Sequence, residues 1–134
     1  MPRTAIASLV LALAAAAPAL AQEGNASTGE VVFKRCSACH AVGEGAKPRV
    51  GPPLNGVVDG KWAHYEGYAY SKVLMDGQAA GKVWDAATLS SFLENPRAVA
   101  PGTKMAFPGL KKPEERADVI AYLRTFLLDG TKAP

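Results

Sequence analysis

Cys36-Ser37-Ala38-Cys39-His40 holds both cysteines and one of the two histidines of this 134-residue chain. Two thiols three positions apart can each add across one vinyl group of a porphyrin, giving two thioethers on the same edge of the macrocycle. The histidine that follows at once is then carried onto one face of the ring, where its imidazole can take an axial position on an iron. C-x-x-C-H is the attachment signature of c-type haem. Three other chemistries use the same residue types. A Cys₂His₂ zinc site needs four ligands and would have to recruit His64 at unusual spacing. A redox dithiol of thioredoxin type belongs at a strand-to-helix turn in a βαβ pattern, which the sequence lacks. A disulfide across two intervening residues would staple almost nothing. Covalent attachment of haem is the reading the motif favours.

If His40 fills one axial position, the other falls to His64, Met75 or Met105. Met75 stands beside Leu74 in a short helical pattern and reads as packing. His64, between Ala63 and Tyr65 in a polar loop, reads as exposed. Met105 stands in Pro101-Gly102-Thr103-Lys104-Met105-Ala106-Phe107-Pro108, a loop stiffened by proline at both ends. A thioether is a weak neutral ligand, so it is held only where the loop positions it in advance. Met105 is therefore the favoured candidate, with ordinary gap-filling as its alternative.

These groups need elements to position them. The segment Glu30–Cys36 is expected to form a short helix that delivers the first thiol, with Val32 and Cys36 one turn apart and Glu23–Thr28 a polar arm before it. From Ala41 to Gly67 no period holds and Gly and Pro recur, so this is loop. Within it, the Pro52 carbonyl of Gly51-Pro52-Pro53-Leu54 could accept the second ring N–H of a ligating histidine; equally, the segment could be no more than a rigid turn. Tyr70–Asp76 reads as a short helix with Ser71 as N-cap and Gly77 as its stop. Asp85 caps a firmer one, in which Leu89, Phe92 and Leu93 recur at i, i+3 and i+4 until Asn95-Pro96 ends it. The clearest helix opens at Pro113, with Glu114 and Glu115 behind it. Its apolar stripe, Val119, Ile120, Leu123, Phe126 and Leu127, is core and needs the Val32/Phe33 helix as partner.

Ahead of these, residues 1–21 have the marks of a cleavable secretory signal: Arg3, an uncharged apolar run from Ala5 to Ala17, and Ala19-Leu20-Ala21 before Gln22. The run is too short for a spanning helix, so no stable membrane insertion is expected. Removal would leave 113 residues as one domain, 22–134, with 14 basic and 12 acidic side chains. A formal charge of about +2 is too mild for a nucleic-acid binder. A loop-rich chain of this size has little core of its own, and a buried porphyrin would supply apolar surface.

Taken together, the sequence resembles a class I cytochrome c of the mitochondrial and bacterial periplasmic type. The resemblance is carried by Cys36-Ser-Ala-Cys-His40, Gly51-Pro52-Pro53-Leu54-Asn55-Gly56, Gly67-Tyr68-Ala69-Tyr70-Ser71, Trp84, Glu94-Asn95-Pro96, Pro101–Phe107 and Arg116–Leu123. It implies an all-α cytochrome c fold, four to five short helices and long loops wrapped around one covalently bound haem c. It implies thioethers at Cys36 and Cys39, iron ligation by His40 and Met105, and a Pro52 carbonyl that orients His40. Tyr70 and Trp84, with Thr103 a weaker candidate, would bond a buried haem propionate, where an unpaired charge would be costly.

The sequence departs from the family's pattern in three places. Many members carry an arginine after the Gly-x-x-Gly segment that helps hold a propionate; here Gly56-Val57-Val58-Asp59-Gly60-Lys61 leaves only Lys61 or a neighbour. Phe92 stands where a tyrosine near the methionine sulfur is found, and Leu74 where a polar residue is common.

The function implied is one-electron transfer by a periplasmic monomer, not an enzyme, between redox proteins. A quinol-oxidising complex, a terminal oxidase, a photosynthetic reaction centre or a periplasmic dehydrogenase would each suit. The competing classes are a tethered haem domain of a respiratory complex and a small ligand-binding or peroxidase-like haem protein, which would need an open iron site. By the resemblance, Arg35, Lys47, Arg49, Arg97, Lys104, Lys111 and Lys112 ring the exposed haem edge, while Asp76, Asp85, Glu114, Glu115 and Asp118 face away. Because the core is expected to form around the porphyrin, Cys36→Ala combined with Cys39→Ala should give an apoprotein with little helix. Circular dichroism showing full native helicity without haem would contradict this.

Overall fold

The structure, a computed structural model, describes residues 23–134, so the expected leader lies outside the described residues. Five helices follow in chain order: α1 (Ala26–Phe33), α2 (Lys72–Ala79), α3 (Ala86–Glu94), α4 (Pro96–Val99) and α5 (Pro113–Arg124). Among the described residues there is no strand, only isolated bridges between Lys61 and Val83 and between Phe126 and Lys132. The fold is all-α, as expected, and long loops join the helices.

The helix α5 follows its sequence signals. Pro113 opens it, Glu114 and Glu115 occupy its first turn and Arg124 its last, each sign matched to the nearby end of the dipole. Val119, Ile120 and Leu123 are buried along it. The stripe does not continue as expected. After Arg124 the chain tightens into i→i+3 bonds, Thr125 N–H to Tyr122 O and Phe126 N–H to Leu123 O. That change of period keeps Phe126 buried but turns Leu127 out, 44% exposed.

The first helix begins earlier than its composition suggests. The Asn25 side chain accepts from Thr28 N–H at 2.9 Å, a capping bond that starts α1 at Ala26 within the stretch expected to be a polar arm. The helix ends at Phe33, and residues 34–39 continue as tight turns rather than helix. Val32 and Phe33 face inward while Val31 is exposed.

Helices α1 and α5 pack as the sequence required. Phe33 and Tyr122 rings lie 5.4 Å apart, Tyr122 and Phe126 5.2 Å, and Asn25 N–H donates to Asp118 Oδ1 at 2.7 Å. The backbones meet at Gly29, where a Cβ would run into the Asp118 carbonyl. Close crossing lets the short α1 bury its whole inner face.

Asp85 caps α3 by accepting from Thr88 N–H at 2.7 Å, and Leu89, Phe92 and Leu93 are buried. Asn95 ends α3, and its side chain accepts from Ala98 N–H to begin α4. Helix α2 differs from expectation at both ends. Ser71 holds the N-cap position without a capping side-chain bond, and Gly77 lies inside the helix, which runs on to Ala79. Arg116, though buried, is paired: Nη1 donates to the Leu110 and Lys111 carbonyls and Nε to Ser90 Oγ, joining α5 to α3 and to the loop between them. A buried guanidinium without such partners would be strongly destabilising.

The α1–α5 crossing generates a test. Gly29→Ala should destabilise the protein by about 1–3 kcal/mol, the usual cost of forcing a methyl into a closed contact. A guanidinium midpoint unchanged by the substitution would mean the two helices can move apart freely.

Candidate functional site

The two thiols lie in the turns that leave α1. Cys39 N–H and His40 N–H both donate to the Cys36 carbonyl, at 3.0 and 2.9 Å, so the pentapeptide is wound as one turn. Gly51 N–H to Cys39 O and Leu54 N–H to Ala41 O then bracket His40 between two backbone bonds. Within that bracket His40 Nδ1 lies 2.7 Å from the Pro52 carbonyl. A carbonyl can only accept, so Nδ1 carries the proton and the Nε2 lone pair is left free. Burial pushes the His40 pKa down while the Pro52 bond pulls it back up. A neutral imidazole with one nitrogen anchored has the form that a metal ligand requires. The loop has no room for a larger residue beside it, since a Cβ on Gly51 would strike the imidazole ring.

A second lock lies one residue pair further on. Gly43 N–H donates to Asn55 Oδ1 at 2.8 Å and Asn55 Nδ2 donates to the Gly43 carbonyl at 2.9 Å. The reciprocal pair ties the loop after His40 to the Gly-Pro-Pro-Leu-Asn-Gly segment, and Asn55 itself is buried.

The competing chemistries fit poorly. The two cysteines are not bonded to each other. Burial pushes the Cys36 thiol up, against the nearby Arg35, whereas a redox dithiol needs an attacking thiol of lowered pKa. Among the described residues no three His, Cys, Asp or Glu side chains converge as metal ligands would.

Of the other iron-ligand candidates, Met105 is half-buried and packs against the core. Its N–H donates to Thr103 Oγ1 at 3.3 Å, and Lys104 Nζ reaches the Ala69 carbonyl at 2.7 Å, tying this loop to the Tyr70 segment. Met75, expected to pack beside Leu74, is instead 46% exposed, because it lies on the outer face of α2. His64, expected to be exposed, is half-buried; burial lowers its pKa, the Asn55 and Pro53 carbonyls raise it, and its Nε2 has no partner.

Tyr70 and Trp84 stand close to the same loops. Tyr70 Oη accepts from Tyr65 N–H at 3.2 Å, which leaves its own proton available, and burial raises its pKa. Trp84 is buried, with Phe92 at 4.8 Å and Trp62 stacked on it at 4.5 Å. Sequence reasoning gave Trp62 no role and the Ser71 hydroxyl only that of a helix cap. Trp62 Nε1, His64 Nε2 and Ser71 Oγ are buried polar atoms without a hydrogen-bond partner. All three fall within ten residues, the last of them next to Tyr70. Two thiols and a neutral imidazole on one segment, a thioether on a tethered loop and unpartnered polar atoms on a third segment are what a haem with anionic propionates would fit.

One pair of charges departs from expectation. Arg35 is not a free cation beside the first thiol: Nη1 and Nη2 each lie 2.8 Å from a Glu115 oxygen. Because α1 and α5 cross, Glu115 is brought to the same edge as Arg35 instead of facing away. The geometry of the second lock is open to test. Asn55→Ala leaves the Gly43 N–H and C=O without their side-chain partners, at a cost of about 1–3 kcal/mol. The guanidinium midpoint should fall with the slope of the transition unchanged; an unchanged midpoint would show that the two loops hold together without it.

Comparison with known proteins agrees with this geometry. A family model described as Cytochrome c matches residues 26–126. Cytochrome c-550 of Ancylobacter novellus is 52% identical over 104 residues, 78% of this chain and 97% of that protein. Cytochrome c2 of Rhodomicrobium vannielii is 53% identical over 102 residues, 76% of this chain and 79% of that protein. The solved structure of cytochrome c2 from Rhodospirillum centenum superimposes with a TM-score of 0.74 at 36% identity, covering 78% of this chain and 99% of that one. With the C-x-x-C-H turn wound as described, the family model matched over residues 26–126 and the fold shared over 99% of the solved relative, the chain belongs to the cytochrome c family, as a monohaem c-type electron carrier rather than an enzyme, with one covalent haem c for which Cys36 and Cys39 fit the attachment motif.

Proposed function

We propose that His40 and Met105 are the axial ligands of the haem iron, and that the protein shuttles single electrons between periplasmic or membrane-bound redox proteins. The observation that carries this reading is the 2.7 Å contact between His40 Nδ1 and the Pro52 carbonyl, which fixes the tautomer and aims Nε2. Cys36 and Cys39 would hold the macrocycle's edge. Tyr70, Trp84 and Thr103 would face a propionate, the first with a free hydroxyl proton.

The haem supplies a one-electron iron couple when bound. What the chain contributes is a closed shell around it. Two protein ligands leave no open position for substrate, which sets the reading apart from a peroxidase or gas-binding protein. A thioether ligand favours ferrous over ferric iron and so raises the potential. Phe92, in place of a tyrosine near the sulfur, removes a hydrogen-bond donor, which favours ferric iron, while the drier pocket that Phe92 and Leu74 leave favours ferrous.

Export by the residue 1–21 segment would place the carrier in the periplasm. Among the described residues no helix is long and apolar enough to cross a membrane, in keeping with a carrier that diffuses. A quinol-oxidising complex, a terminal oxidase, a reaction centre or a periplasmic dehydrogenase are the kinds of partner such a carrier serves. The exposed Lys47, Arg97, Lys104, Lys111 and Lys112 suit an acidic docking surface.

The test is spectroscopic. The ferric protein should show the weak near-red band of sulfur–iron coordination, and Met105→Ala should abolish it and lower the potential by about 59 mV for each tenfold loss in ferrous preference. If the band survives in that variant, the ligand is another residue.

A further inference from the structure

In place of the family's propionate arginine, the resemblance leaves Lys61 or a neighbour as the partner of a haem propionate. Lys61 is exposed, and Gly60 could carry no side chain in this backbone, since a Cβ there would strike the Gly56 carbonyl. The neighbour that does turn inward is Trp62, 2% exposed, with its indole Nε1 buried and unpartnered. A buried N–H without an acceptor forfeits its hydration with nothing in return, so it is seldom left so in a native protein.

The side chain is held from all directions that the polypeptide can supply. Its ring stacks on Trp84 with centroids 4.5 Å apart and planes 19° from parallel. Its other edge rests on α2 at Gly77, where any Cβ would collide with the six-membered ring. Lys82 Nζ lies 4.7 Å above the ring. Backbone bonds from Trp62 N–H to Lys82 O, Trp84 N–H to Gly60 O and Asp59 N–H to Trp84 O fasten the two tryptophan segments together. Gly77 is therefore not a helix stop but a seat for this indole. Such exact placement of a ring whose one polar atom meets no protein acceptor needs an acceptor from outside the chain.

We propose that Trp62 takes over the arginine's task, its indole N–H donating to a haem propionate carboxylate beside Trp84. This rests on the reading of Tyr70 and Trp84 as the propionate-facing residues. The donor is neutral where the family's is cationic, so the propionate gains a hydrogen bond without a compensating charge. Two stacked indoles form the wall, and Trp62 is a binding residue that the C-x-x-C-H and methionine motifs do not reveal.

The experiment uses the holoprotein. In ¹⁵N-tryptophan-labelled ferrous protein, the Trp62 indole proton should be shifted downfield and protected from solvent exchange. Trp62→Phe keeps an aromatic ring against Trp84 and removes the N–H together with the five-membered ring; it should shift the propionate-bending band in the resonance Raman spectrum while the near-red band and the helical dichroism stay as in the wild type. Tyr70→Phe and Trp84→Phe are run alongside. A propionate band unmoved by Trp62→Phe but moved by either of the others overturns the role of Trp62 and leaves the parent reading standing. A band unmoved by all three overturns the parent reading as well. If Trp62→Phe fails to fold, the labelled wild-type protein decides alone: an indole proton exchanging at the rate of a free tryptophan excludes the bond. A protected indole proton whose shift is unaltered in protein carrying propionate-esterified haem is bonded to water and likewise overturns the proposal.

Discussion

One hydrogen bond governs the arrangement of the loops: His40 Nδ1 to the Pro52 carbonyl. It needs the Pro52 carbonyl to point inward, which the backbone bonds on either side enforce, and it needs Gly51 beside it, because no other residue leaves the ring its space. The Asn55–Gly43 pair repeats the same strategy one step outward. An imidazole in a loop without secondary structure would otherwise sample several rotamers at an entropic cost. Here about a dozen residues of irregular chain are spent on holding one ring, and α1 with α5 supplies the rigid floor beneath it.

The parts of this design that were legible in the sequence are those with a local signal. Asp85, Asn95-Pro96 and Pro113-Glu114-Glu115 mark helix ends by chemistry acting within one turn, and the structure places the boundaries there. The C-x-x-C-H motif likewise states its chemistry in five residues. The start of α1 was hidden because Ala26-Ser27-Thr28-Gly29 has a poor helical composition, and only the Asn25 cap and the packing on α5 make it helical. Gly77 looks like a stop in one dimension; in three it is a close contact with a ring fifteen positions earlier.

What the sequence could not show were contacts that depend on where loops pass one another. Trp62 is a single indole in a stretch with no period, and nothing local distinguishes it from surface. His64 and Met75 exchanged their expected environments for the same reason: one lies under a loop, the other on the outer side of a helix. The Arg35–Glu115 pair arises from the angle at which α1 and α5 cross, and it replaces a lone positive charge next to the attachment turn with a neutral fork.

The segment that carries Met105 begins and ends at the same place. Asn95 and Pro96 open it, and it returns through Leu110 N–H to the Leu93 carbonyl and Lys111 Nζ to the Glu94 carbonyl, bonds of 2.7 Å each. Leu93, Glu94 and Asn95 therefore act as a clasp, and the residues between form a ring of chain closed at one point on the end of α3. With Lys104 Nζ also bonded to the Ala69 carbonyl, the ring is fastened on its far side as well, so the thioether of Met105 is held from two directions while the helices stay apart from it.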